Sequence, residues 1–248
     1  MKRVFIGVVV GGLLIAAWCA AAWRDDCGPL PDFDAIAETD ARKAAFIAYL
    51  VPRVERANRK VEGLRARLLA VDARLAEGKT PGVWQRYWVR SLAEDYGIEE
   101  VESVDRDLLV KLLRRVDTVP ASLAVAQAAI ESGWGMSRFA REGGNLFGLR
   151  THAKGEGLVP KERSAGQRFK VASYGSVCEG IDAYIQNLNT HARYRDLRTV
   201  RATLRASGLP ASGDRLAHEL VSYSERGFEY VAQVRAVIAQ NDLGRLDL

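Results

Sequence analysis

PASLAVAQAAIESGWGMSRFAREGGNLFGLR, residues 120–150, is the stretch around which the rest of the chain has to be arranged. Ser122 follows Pro120 as an N-cap, and Leu123, Ala126, Gln127 and Ile130 then lie beside Ala124, Ala128 and Glu131 on adjacent faces of one helix. Alanine lets neighbouring elements come close, so the one long carboxylate on this helix, Glu131, is either a surface group or the reason the helix is there. Gly133 and Gly135 follow at once, which places Glu131 in the last turn. The open carbonyls of a helix C-terminus disfavour a second negative charge, and Trp134 and Phe139 lower the local polarity, so the Glu131 pKa is expected to rise. A carboxyl that keeps its proton near neutrality can give it to a leaving oxygen. Taken alone, a Glu-Ser-Gly triplet at a helix end is more often a solvated surface feature.

The wider stretch alters that balance. AQAAIESGWG followed by GGNLFGL resembles the signature of the bacterial glucosaminidases of glycoside hydrolase family 73, which cut the sugar backbone of peptidoglycan. The resemblance covers residues 117–240, and LVPKER, NLNTHARYRDLR and YSERGFEYV have the look of the Bax-type branch of that family. It implies a mainly α (α+β) architecture, a lysozyme-like helical domain with a small β-hairpin. It also implies endo-β-N-acetylglucosaminidase activity on peptidoglycan glycan strands, with Glu131 in the place of the catalytic acid. Trp134, Asn145 and Phe147, in and between the paired motifs, are candidate substrate contacts. Tyr223 and Tyr230 match two tyrosines of the family's closing motif, the first of which lines the cleft; as a buried residue Tyr230 reads better as core.

Residues 151–174 have the Gly, Pro and Lys punctuation of a loop and hairpin, with Leu158-Val159 and residues 168–171 as its strands. Lysozyme-like folds set such a hairpin across the cleft from the acid, and glycosidases commonly use a second carboxylate. Glu156 and Glu162 are the candidates, Glu162 being nearer to the family's second acidic position and therefore the second catalytic candidate. Flanked by Lys161 and Arg163, it can equally be a solvated hairpin charge. Helices are expected over residues 176–191, 211–221 and 228–240, with Glu179 and Asp182 facing solvent or capping the first of these.

Toward the N-terminus, Ile47, Leu50, Val54, Ala57, Val61, Leu64, Leu68, Val71 and Leu75 recur at spacings of three and four. This seam suits either a coiled-coil stalk or an amphipathic helix lying on its own catalytic domain, with helices over 84–96 and 106–116 as partners. The intrachain arrangement is the better fit, and a monomer is expected. Pro52 should kink or restart the helix. Trp84, Tyr87 and Trp88 read as core packing rather than a sugar platform. Residues 24–40 form a Pro- and Asp-containing linker, giving a division into a targeting segment (1–23), linker (24–40), helical region (41–116) and catalytic domain (117–248).

Lys2 and Arg3 precede an uncharged run, residues 4–23, which at about 1.5 Å per residue is about 30 Å long. It can anchor the chain in the inner membrane, or be cleaved as a signal peptide at Ala20-Ala21-Ala22; both place the body in the periplasm or cell envelope. There Cys27 and Cys178 can pair or stay free. With 48% hydrophobic and 27% charged residues the chain is globular, and a net charge of +5 without a basic cluster argues against a nucleic-acid partner. His152, His191 and His218 have no ligand spacing, so neither metal nor cofactor is expected. Two other classes remain: a non-catalytic envelope scaffold that binds peptidoglycan, and a lytic transglycosylase, against which Gly144-Asn145-Leu146-Phe147-Gly148-Leu149 stands where a Gly-Leu-Met-Gln type loop would be.

Overall fold

The computed structural model describes residues 27–151, 157–158 and 170–247. The apolar run 4–23, Cys19, His152 and the two candidate carboxylates Glu156 and Glu162 lie outside them. Among the described residues no helix is long and apolar enough to cross a membrane.

The chain is mainly helical. After a 3-10 turn at Phe33–Ala35 come α1 (Thr39–Ala76), α2 (Val83–Asp95), α3 (Arg106–Arg115), α4 (Ala121–Ser132) and α5 (Arg138–Gly143). Strands β1 (Arg150–Thr151) and β2 (Lys170–Val171) follow, then α6 (Val177–Thr190), α7 (Arg195–Ala206), α8 (Gly213–Ala217) and α9 (Phe228–Gln240), with 3-10 turns at Ala192–Tyr194, His218–Leu220 and Leu243–Asp247.

The seam of α1 turns inward. Phe46, Leu50, Val54, Leu68 and Val71 are buried, and the helix packs along α3, α4 and α6. Contrary to expectation, Pro52 does not restart the helix but sits inside it. It lies on the exposed side, as does Ala48, whose carbonyl loses its partner and can be hydrated. An interior proline costs about 3 kcal/mol, whereas each fully buried Leu, Val or Phe contributes about 1.5–3 kcal/mol, so packing along the whole seam outweighs the break. Lys60 adds a 2.8 Å bond to Asp182, which ties α6 to α1 from a position still partly open to solvent. One hydrophobic cluster runs from Phe33 through α1 to Leu243, across position 116.

Two further expectations change. Trp84 and Tyr87 are 84% and 70% exposed and are not core; only Trp88 packs, with the Arg67 guanidinium 4.0 Å above its ring. The paired strands are Arg150–Thr151 and Lys170–Val171, in the register Arg150↔Val171 and Thr151↔Lys170, while Leu158 contributes a single bridge to Val171. The first strand lies eight residues before Leu158, where Leu149 already accepts the Ala172 amide at 2.8 Å.

Candidate active site

Helix α4 is the central element. Its residues Ala121 to Ala129 are all buried, and it touches α1, α8, α9 and the C-terminal 3-10 turn. Alanine-rich packing makes this possible, since short side chains let several helices close on one axis. Its N-terminus is not capped by Ser122, as the sequence suggested, because the helix already starts at Ala121. Asp247 does the work from the far end of the chain: its carboxylate accepts the Ser122 amide at 3.1 Å and the Gly213 amide at 2.8 Å, and takes a bond from the Ser122 hydroxyl. A negative group there also suits the helix dipole. At the other end Gly133 takes the left-handed conformation (φ 58°) and its amide bonds the Ala129 carbonyl, which stops the helix directly after Glu131 and Ser132.

Glu131 is half-buried and hydrogen-bonded to Tyr230. The bond has a direction. Tyr184 donates its hydroxyl to Gln127 Oε1 at 2.7 Å, and Gln127 Nε2 donates to the Tyr230 oxygen at 2.9 Å, which leaves the Tyr230 proton for Glu131. Burial pushes the Glu131 carboxyl above its ordinary 4.5; the Tyr230 bond and the charges of Arg226 and Arg150 pull it back in part. The direction is the one expected, but the cause is burial beside tyrosines and not Trp134. The same burial, and the nearby Glu131 charge, raise Tyr230 far above the usual phenol range, so it stays a donor at every working pH.

The GNLFGL loop closes over the acid. Gly148 has φ +65°, and a Cβ there would stand 3.3 Å from Glu131 Oε2, so this position requires both the conformation and the small size of glycine. The carboxyl opens on a cleft of about 1000 Å³, whose walls include Phe147, Arg150, His191, Tyr194, Tyr223 and Arg226.

The candidate contacts divide. Tyr223 lines the cleft, donates to the Phe147 carbonyl at 2.9 Å and stacks on Tyr230 at 5.4 Å. Phe147 is also in the lining, but its ring is buried and stacked on Tyr184 at 3.9 Å, so the ring offers no face to a sugar. Asn145 is buried with both ends of its amide engaged: Nδ2 donates to Leu149 O and Ala172 O at 2.9 Å each, and Oδ1 accepts the amides of Phe147 and Leu149. It shapes the loop from beneath and has no polar atom left for a sugar. Trp134 is not in the cleft wall; it meets Phe46 of α1 edge-on at 5.7 Å with Lys43 5.8 Å over its ring. A left-handed backbone at Trp134 (φ 60°) follows directly on Gly133 and turns the ring toward α1. Glu162 lies outside the described residues, and the second carboxylate in the described lining is Glu225. Among the described residues no three His, Cys, Asp or Glu side chains stand together as metal ligands.

Sequence reasoning passed over Gln127, Arg226 and His191; Tyr230 is core, as expected, and from there it also bonds Glu131. The signal for Gln127 was present: it is the other polar side chain on the helix face of Glu131, one turn before it.

The family model for mannosyl-glycoprotein endo-beta-N-acetylglucosaminidase matches residues 107–243. Among curated proteins, the chain is similar to Protein bax of Escherichia coli K12, 30% identical over 218 residues that cover 86% of this chain and 74% of the relative. It is also similar to the Peptidoglycan hydrolase FlgJ of Salmonella typhimurium LT2 and of Escherichia coli K12, each 34% identical over 104 residues, 37% of this chain and 33% of the relative. No solved structure matches.

Proposed function

Because the chain belongs to the glucosaminidase family, we propose that it is a peptidoglycan hydrolase of the endo-β-N-acetylglucosaminidase type, with Glu131 as general acid on a lysozyme-like body. The observation that carries this reading is the Glu131 carboxyl itself: raised in pKa by burial, fixed by a directed bond from Tyr230, and open to a cleft of about 1000 Å³. The name of two relatives, peptidoglycan hydrolase, supports the choice of polymer.

In this mechanism Tyr230 holds one carboxyl oxygen, and the other carries the proton to the glycosidic oxygen as the bond from that oxygen to the anomeric carbon breaks. The electron pair of that bond leaves with the departing sugar, and water, losing a proton, closes the anomeric carbon. Acid catalysis needs Glu131 protonated before the step and regenerated after it. Activation of the water or stabilisation of the oxocarbenium ion falls to Glu162, the second carboxylate the family resemblance points to, with Glu225 in the cleft wall as the competing carboxylate. Tyr223 holds the loop that roofs the acid and offers its ring to the sugar.

A periplasmic or envelope location fits the charge-flanked run 4–23 and the juxtaposition of Cys27 and Cys178, which form a disulfide with Cα atoms 5.8 Å apart.

The test is digestion of purified sacculi, reduction of the new ends with borohydride and mass spectrometry. N-acetylglucosaminitol ends are expected; muramitol ends would overturn the bond assignment and anhydromuramic ends would make the protein a transglycosylase. Glu131→Gln should lower the rate about 10²–10⁴-fold. Wild-type cleavage by folded Glu131→Gln protein would remove Glu131 from the mechanism.

A further inference from the structure

Three guanidinium groups, those of Arg150, Arg193 and Arg226, share the cleft wall with Glu131, and His191 stands with them against one other carboxylate, Glu225. They come from three separate segments. Arg150 opens β1 at the end of the GNLFGL loop. Arg193 sits in the 3-10 turn after α6 and reaches the Ser222 carbonyl at 3.3 Å. Arg226 is held by Gln233 Oε1 at 2.7 Å with its guanidinium 5.4 Å from the centre of the Tyr230 ring. His191 Nδ1 accepts the Arg193 amide at 3.1 Å, which turns Nε2 outward.

Cations beside a general acid work against it. Arg226 and Arg150 are close enough to Glu131 to favour its ionised form, which has no proton to give. For a neutral polysaccharide that cost has no return. For an anionic one it does: a guanidinium presents parallel N–H groups that match a carboxylate, and positive groups on the walls of a cleft concentrate an anionic chain there. The restraint of Arg226 by Gln233 and of Arg193 by Ser222 means that less side-chain freedom is lost on binding.

Resting on the glycan-hydrolase reading above, we propose that Arg150, Arg193 and Arg226 form a carboxylate-reading rim around the acid, which selects glycan strands bearing free carboxylates over neutral strands of the same sugars. Two sources share that chemistry: the lactyl carboxylate of a muramyl residue without its peptide, and the carboxylates of the stem peptide.

The experiment compares the full protein on native glycan strands and on the same strands with every carboxylate capped by carbodiimide and methylamine, which removes charge and leaves all glycosidic bonds. Capping should lower kcat/KM by about tenfold or more, as loss of charge-assisted hydrogen bonds does. The gap between native and capped strands should narrow in Arg193→Gln and again in Arg193→Gln/Arg226→Gln, and rising salt should slow wild type on native strands more than on capped ones. Equal wild-type rates on the two substrates would overturn the rim, and so would Arg variants that slow both alike. Amidase-treated strands, which keep only lactyl carboxylates, show which source is read by whether the native-to-capped gap survives on them. If neither native nor capped strands are cleaved, the hydrolase reading fails, and co-sedimentation with native against capped sacculi still decides the rim: equal binding overturns it, and preferential binding of native sacculi that is lost in the double variant supports it.

Discussion

What Glu131 can do depends on what surrounds one carboxyl. Its folded pKa lies above its ordinary 4.5, with burial the chief cause. The protonated form is therefore the one the fold favours, so Glu131 makes its most favourable contribution to stability below pH 4.5, and that contribution is lost as pH rises through the folded pKa. Glutamine does not titrate. The melting temperature of Glu131→Gln relative to wild type should climb as pH rises from 4 to 8, and a gap that stays constant or shrinks would contradict the burial argument. Tyr230→Phe tests the bond from the other side. Removing a donor that favours the carboxylate should raise the Glu131 pKa further, moving the alkaline limb of kcat/KM to higher pH. Looser placement of the acid should lower kcat about tenfold, and Gln127 Nε2, left without its acceptor in the core, should cost about 1–3 kcal/mol of stability. A limb that moves toward acid would show that Tyr230 does not donate to Glu131. Gln127 and Glu131 stand on one helix face in the sequence, but the matching of Tyr230 and Tyr184 to that face needed long-range packing.

At the scale of elements, the acid-bearing helix is held from both ends and from beneath. Asp117, just before α4, is buried and gathers Arg65 of α1 at 3.5 Å, Arg201 of α7 at 3.6 Å and the guanidinium of Arg205. Arg201 is itself fully buried, and burial lowers its pKa to about 10 in spite of the Asp117 charge. Removing the carboxylate leaves buried positive charge without its partner, so Asp117→Ala should cost about 3–5 kcal/mol. Equilibrium denaturation measures this, and a loss below 1 kcal/mol would show the cluster to be solvated. The disulfide from Cys27 to Cys178 spans 151 positions and pins the segment before α1 to the start of α6. Closing so long a loop is worth about 2–5 kcal/mol, so dithiothreitol should lower the melting temperature by about 5–15 °C. A Cys178→Ser protein should lose the sensitivity to reductant; an unchanged wild-type melt under reduction would mean that the bridge does not support the fold.

For the whole molecule, the α1 seam is already used. Its buried side chains face α3, α4 and α6 of the same chain, which leaves no apolar stripe for a second copy. The protein from residue 27 onward should sediment as a monomer at micromolar concentration, and a stable dimer there would point to another surface, with the exposed Trp84 and Tyr87 of α2 the first to test.

The place of Glu131 in the last turn, the end of its helix, the helical segments and the inward seam of α1 were legible in the sequence, because each follows from local rules: periodicity, glycine at a helix C-terminus and a motif of adjacent residues. Four things were decided only by tertiary structure: the roles of Asn145 and Trp134, the cap from Asp247, the tolerance of Pro52 and the tyrosine network on Glu131. In each case the physical reason is the same. A side chain's role depends on which partner reaches its polar atoms or its face, and the partners of Asn145, Trp134, Ser122 and Glu131 include residues far along the chain at Ala172, Phe46, Asp247 and Tyr230, whose approach is set by packing that no local pattern encodes.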